Sequence, residues 1–176
     1  ILYAVLNLCK AGDHIISVTS LYGGTVNLFN VHLKNLGIEV SFVEPDASEE
    51  EILSLAKENT KAIYGETIGN PGLNILDFDK FSSVAKKIQV PLIIDNTVAT
   101  PYHCNPFEHG ANIVVHSTTK YSEGHAQTIG GIVVDGGNFD WTNGKFNDFT
   151  TPDPSYHGLK YVESFGQEIG RASCRE

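Results

Sequence analysis

The chain has no methionine, a single tryptophan and no arginine before Arg171. Basic residues are scarce overall: 12 Lys and Arg stand against 21 Asp and Glu, for a formal net charge of -9. A protein that tracks a phosphate backbone needs a basic face, so a nucleic-acid-binding role is not expected. Three cysteines, Cys9, Cys104 and Cys174, form no CxxC pair. An odd number without a framework excludes a disulfide scaffold and fits a reducing compartment, most simply the cytoplasm. No run of about 18 apolar residues occurs, so no membrane-spanning helix is expected. Residues 1–8 lack the basic n-region and cleavage site of a signal peptide. With no initiator methionine, the numbering is expected to start inside a longer protein. GxGxxG, GxxxxGK[ST] and GxSxG are all missing, which removes any motif for a dinucleotide site, a P-loop or a hydrolase elbow. His103, Cys104 and His109 match no zinc spacing, so a loop is expected there and no metal.

What is present suits one α/β domain core. The chain is 41% hydrophobic with 17 glycines and 7 prolines, ordinary for a folded, loop-rich protein. Helical and strand patterns alternate. Residues 1–10 have helical character. HIISV at 14–18 is a β-branched run, and 25–36 is helical, with Val26, Phe29, Leu33 and Leu36 on one stripe before Gly37. EVSFV at 39–43 is a strand. Ser48 and Glu51 form a capping box, predicting a helix through Asn59. KAIYGE at 61–66, PLIIDN at 91–96, IVVHS at 113–117 and IGGIVVD at 129–135 read as strands, and 78–88 as an amphipathic helix. Residues 138–161 read as long loops. Strands separated by helices predict βαβ crossovers: an α/β fold with a mainly parallel sheet and flanking helices.

Ligands of such sheets sit beyond the C-terminal strand ends. The polar residues closing the strand patterns are therefore the ones to examine: Ser20 to Tyr22, Glu66-Thr67, Asp95 to Thr97 and Ser117 to Lys120. Lys120 follows a buried-type strand, where its amine could act as a nucleophile toward an aldehyde. Asp95 ends an apolar run, so its carboxylate needs a partner; a protonated ring nitrogen would serve. Ser117 and Thr119 offer hydroxyls to a phosphate. Tyr22, in a Gly-rich strand-to-helix turn, could lie on a planar ring, and Asn70 could hydrogen bond a ring substituent. Each residue also has an ordinary reading: a surface lysine, a capping aspartate, a hydroxyl-rich turn, a helix entry.

As an ordered set, SLYGGT at 20–25, ETIGNP at 66–71, DNT at 95–97 and HSTTKY at 116–121 carry more weight. Over residues 1–167 the chain resembles the Cys/Met-metabolism PLP-dependent enzymes. That resemblance implies the large domain of PLP-dependent transferase fold type I, in part. KYSEGH at 120–125, GGIVVDGGNFDW at 130–141 and KFNDFTTPDPSYHG at 145–158 are similar to the family's O-acetylhomoserine sulfhydrylase branch. Methionine γ-lyases of the family resemble the first motif but typically carry cysteine where Gly24 stands.

The resemblance implies pyridoxal 5'-phosphate as cofactor, held covalently by Lys120. Asp95 would pair with the ring nitrogen, with Thr97 beside it. Tyr22 would stack on the ring and relay a proton near the leaving group. Ser117 and Thr119 would hold the phosphate, and Asn70 the ring hydroxyl oxygen. The implied reaction is γ-replacement: acetate leaves O-acetylhomoserine and sulfide or a small thiol adds, giving homocysteine or methionine. The alternatives are a γ-lyase or cystathionine synthase of the same family, and a noncatalytic truncated α/β domain. A homotetramer with shared active sites is also implied.

The family's phosphate-cradling turn and Tyr-x-Arg segment are expected before Ile1, and its carboxylate-binding arginine beyond Gln167. The segment as written is therefore expected to be inactive by itself. Residues 168–176, EIGRASCRE, continue no pattern. Back-translated, they match a sequencing-adapter strand, so a partial PLP-binding domain over 1–167 and a non-native tail are expected.

Overall fold

The computed structural model describes residues 1–125 and 127–167. The tail expected to be non-native, 168–176, lies outside the described residues. Six strands form one sheet in the order β2-β1-β3-β4-β5-β6. They are β1 (His14–Val18), β2 (Glu39–Val43), β3 (Thr60–Glu66), β4 (Leu92–Asp95), β5 (Ile113–Ser117) and β6 (Gly131–Asp135). The first five pair in parallel, and β6 runs antiparallel to β5. The mainly parallel sheet expected from the sequence is thus present. Ile15, Ile16, Ile63, Leu92, Ile93 and Ile94 are fully buried, as strands covered on both faces require. Among the described residues, no helix is long and apolar enough to cross a membrane.

Short helices link the strands. α1 is Leu2–Leu6, and α2 is Gly23–Asn27, running directly into a π-helical turn at Leu28–Leu33. The expected stripe survives, since Phe29 and Leu33 are buried. α3, Glu49–Ser54, opens with the capping box at Ser48 and Glu51 but stops well before Asn59. The physical reason is local: the Thr60 hydroxyl accepts the Lys57 amide at 2.8 Å, and the Thr60 amide returns to the Lys57 carbonyl. That side-chain turn competes with further helix. α4, Phe78–Lys87, is capped by Asp77 and buries Phe81, Val84 and Ala85 at helical spacing. α5 is Thr100–His103, α6 Asn147–Thr150 and α7 Tyr161–Phe165.

The stretch read as long loops is built around an aromatic cluster. Trp141, Phe146 and Phe149 are buried, with Trp141 edge-on to Phe139, Phe146 and Phe149 at 4.7–5.1 Å between centroids. Several of its polar ties run to residues that precede strands: Lys145 to the Ile88 carbonyl, Asn143 to Gln89, Asn138 to Asn112, and Asp148 to Lys10. Lys61, near the start of β3, lies 5.5 Å from the Phe146 ring centroid. Residues 138–167 therefore close the N-terminal end of the sheet. The loop reading holds for most of 138–161, where α6 and a 3-10 turn at Pro154–Tyr156 are the short exceptions, but it missed that spaced aromatics can pack together.

His14 staples three strands at that same end. Nδ1 pairs with the Thr60 hydroxyl at 2.8 Å and Nε2 with the Ser41 hydroxyl at 2.9 Å. Burial, with Lys57 nearby, holds its pKa below the ordinary 6.5. As pH falls through 6.5, the unfolded chain binds a proton that the folded chain refuses, so stability drops until the folded value is reached. The urea midpoint is therefore expected to fall between pH 8 and pH 5. His14→Asn is expected to remove part of that slope and to lower stability at pH 8 by about 1–3 kcal/mol, because a buried hydroxyl loses its partner. An unchanged slope in the variant would show that His14 is not the titrating group.

Candidate functional site

The chain leaves β1 toward β2 on one side and returns to β3 on the other. The loops after β1 and β3 therefore diverge, opening a crevice at the C-terminal end of the sheet. A cavity of about 620 Å³ lies there, within the range of small-molecule sites. Tyr22 and Gly24 line it from the loop after β1 and the start of α2. Glu66, Ile68 and Asn70 contribute from the end of β3, Asp95 and Thr97 from β4, and Ser117, Lys120 and Tyr121 from β5. Six of the seven residues singled out from the sequence thus share one cavity, drawn from four separate loops.

Asp95 is held by its own loop. Its Oδ1 accepts from the Thr97 amide at 2.9 Å and from the Thr97 hydroxyl at 2.5 Å. The Thr97 hydroxyl in turn accepts the Ser117 amide at 2.8 Å, which ties β4 to β5. Among the described residues, the hydrogen-bond partner of Asp95 Oδ2 is the Tyr64 hydroxyl, at 3.4 Å. A carboxylate can accept about four hydrogen bonds, so Oδ2 retains capacity for a cationic N–H. Tyr64 is fully buried, edge-on to Phe29, and burial beside Asp95 and Glu66 pushes its hydroxyl well above the ordinary range. It acts here as a neutral donor.

Glu66 stands directly opposite Asp95 in the β3–β4 register, so both carboxylates face the same side. Glu66 is buried. Its Oε1 accepts the Tyr22 amide at 2.8 Å and its Oε2 the Asn70 amide at 3.3 Å. Desolvation, with Asp95 adding repulsion, pushes its pKa up to about 7, while the two amide bonds oppose the rise. Sequence reading marked Glu66 as a polar strand end and gave it no role. The available signal was an acid closing an apolar strand.

Lys120 is exposed at the cavity mouth, and among the described residues no carboxylate forms an ion pair with it. Thr119 does not line the cavity. Its hydroxyl accepts the Gly130 amide at 2.9 Å and donates to the Gly130 carbonyl at 3.2 Å, which fastens the start of the β5–β6 connection. On the reverse face, the Thr67 hydroxyl donates to Asn96 Oδ1 and Asn96 Nδ2 to the Cys104 carbonyl. These bonds brace the strand ends that carry Glu66 and Asp95. Among the described residues, no group of three or more His, Cys, Asp or Glu is placed to hold a metal ion.

The family model of the Cys/Met metabolism PLP-dependent enzymes matches residues 1–169. The chain belongs to that family. It is 52% identical over 164 residues to an O-acetyl-L-homoserine sulfhydrylase of Leptospira meyeri, covering 93% of this chain and 37% of that protein. A homocysteine synthase of Schizosaccharomyces pombe is 46% identical over 175 residues, covering 98% of this chain and 41% of that protein. The chain thus spans about two fifths of the length of these relatives. A Campylobacter jejuni crystal structure holding N'-pyridoxyl-lysine-5'-monophosphate superposes with a TM-score of 0.88 at 38% identity, covering 92% of this chain and 40% of that one. The sheet is that of PLP-dependent fold type I.

The cavity chemistry fits this family's cofactor. A flat cationic ring matches the open Oδ2 of Asp95, an aldehyde matches the exposed amine of Lys120, and an aromatic face matches Tyr22. On the phosphate side the fit is incomplete: Ser117 lines the cavity, but the Thr119 hydroxyl is already committed to Gly130.

Proposed function

We propose that a full-length protein carrying this segment catalyses γ-replacement on O-acetylhomoserine with sulfide or a small thiol, releasing acetate and giving homocysteine or methionine. The observation that carries this reading is the meeting of Lys120, Asp95, Thr97, Tyr22, Asn70 and Ser117 at one cavity, in a chain about half identical to a sulfhydrylase. Bound pyridoxal 5'-phosphate would supply the electron sink.

The protein's own groups do the rest. Lys120 would hold the cofactor, and its amine would move protons at the α- and β-carbons. Asp95, fixed by Thr97, would keep the ring nitrogen protonated. Tyr22 would cover the ring and relay a proton near the leaving group. Asn70 would bond the ring hydroxyl oxygen, and Ser117 the phosphate. Thr119 joins the phosphate site only if it gives up its bonds to Gly130. Residues 1–167 form the partial cofactor-binding domain in this reading, and 168–176 a non-native tail. The protein works in the cytoplasm as a homo-oligomer with shared active sites.

Replacement is favoured over elimination by Gly24. A β-carbon there would lie 2.6 Å from Tyr22 Cε1, so only glycine leaves the Tyr22 ring where it stands. The test is an assay of full-length protein with O-acetylhomoserine. Homocysteine and acetate are expected in equal amounts with sulfide, and little α-ketobutyrate without it. Rapid α-ketobutyrate release in the absence of sulfide would make the protein a lyase.

A further inference from the structure

Glu66 has a feature that a purely structural residue does not need. A buried carboxylate opposite a second carboxylate is costly, and a neutral residue would fill the same space with less penalty. What Glu66 holds in return is specific. Its two oxygens accept amides from the two loops that diverge at the crevice, Tyr22 at 2.8 Å and Asn70 at 3.3 Å. A second link joins the same loops: the Ser20 hydroxyl donates to Asn74 Oδ1 at 2.5 Å. Between these links the loops touch closely. A β-carbon on Gly69 would fall 2.4 Å from Ser20 Oγ and 2.6 Å from Asn74 Oδ1. The Gly69 amide and Asn74 carbonyl also close the 66–75 loop on itself at 2.9 Å. The turn at 19–22 and the loop at 66–75 are thereby fastened into one body, and Glu66 faces the cavity from it together with Tyr22, Ile68 and Asn70.

We propose that Glu66 is a positioning residue whose single carboxylate clamps the main chain of Tyr22 and Asn70 together, fixing the spacing of the two groups that contact the cofactor ring. The proposal rests on the reading above, in which Tyr22 stacks on that ring and Asn70 bonds its hydroxyl oxygen. The clamp needs both oxygens as acceptors. Glutamine has one acceptor oxygen, and its NH2 turned toward a main-chain N–H leaves that amide without a partner. Aspartate keeps both oxygens but is one methylene shorter, so it reaches one amide well and the other poorly. The same logic gives a pH dependence. A protonated Glu66 keeps one good acceptor and loses the other, so the clamp weakens as pH falls through the Glu66 pKa. Asp95 from β4 and Tyr64 from β3 face it, and Tyr22, Lys120 and Tyr121 line the same cavity from the loops after β1 and β5.

The experiment uses a full-length protein carrying this segment, loaded with pyridoxal 5'-phosphate, as wild type, Glu66→Gln and Glu66→Asp. Borohydride reduction followed by peptide mass analysis reads cofactor attachment at Lys120. Visible circular dichroism reads the seating of the bound chromophore, and steady-state kinetics separate kcat from KM. For Glu66→Gln the expected result is intact attachment, an altered visible dichroism and a kcat lower by about 10²-fold, the scale of an ångström-sized misplacement, with KM for the amino-acid substrate changed by less than about threefold. The wild-type acid limb of the kcat profile should be missing from the Gln variant. Glu66→Asp should lie between the two, and it serves as the folded comparison if the Gln variant does not accumulate. Intact attachment with unchanged dichroism, kcat and acid limb would overturn the clamp while leaving the cofactor reading in place. Failure of the wild type itself to be trapped at Lys120 would overturn both.

Discussion

Lys120→Ala, in a full-length protein carrying this segment, is expected to abolish borohydride-fixed attachment of pyridoxal phosphate and to lower kcat/KM by at least about 10²–10⁴-fold. The lower bound is the contribution of a positioned general acid–base group; loss of the covalent tether adds to it. Geometry supports assigning both tasks to this one amine. Lys120 lines the cavity beyond β5, on the connection between Ser117 and Gly124, and among the described residues no carboxylate pairs with it. Lys120→Arg is expected to fail as completely, because a guanidinium stays protonated and cannot serve as nucleophile or base. The measurements are the mass of the reduced Lys120 peptide and kcat/KM with O-acetylhomoserine and sulfide. Retained attachment at another lysine with near-normal turnover would remove Lys120 from the mechanism.

The second large effect is expected at Asp95. Asp95→Asn preserves size, and its amide oxygen can still accept the Thr97 amide and hydroxyl now bound at 2.9 and 2.5 Å. What it removes is the negative charge on Oδ2, the oxygen with spare capacity. A cationic ring nitrogen would then face a neutral group, and the electron sink would weaken. A fall in kcat of about 10²–10³-fold is expected, the usual scale for losing one preorganised electrostatic contact to the reacting system. Attachment at Lys120 should survive, since Asp95 and Lys120 act at opposite ends of the ring. Absorbance and kcat measured together separate these roles. A variant that attached cofactor and turned over normally would leave Asp95 as a loop-capping carboxylate only.

The aromatic stretch at 138–158, similar to the sulfhydrylase branch, packs against Ile88, Gln89, Asn112 and Lys10 at the N-terminal strand ends. The cavity lies at the opposite edge. Within this chain that stretch supports the sheet from behind and does not line the site.

Much of this protein was determined by local sequence. HIISV, EVSFV and IVVHS became β1, β2 and β5 with the bounds read from their patterns, because short β-branched and aromatic runs fit a pleated sheet, buried in β1 and β5 and half-buried at the edge strand β2. The Ser48–Glu51 capping box formed because its partners are three residues apart. The polar strand ends were legible because a parallel sheet gathers them along one edge. Only the tertiary structure decided what required distant chain to meet. It ended α3 early through Thr60, and it turned Phe139, Trp141, Phe146 and Phe149 from loop residues into a core. It withdrew the Thr119 hydroxyl toward Gly130. It also made Glu66 the joint between two loops, since a carboxylate at 66 can find amides at 22 and 70 only after β1 and β3 lie side by side.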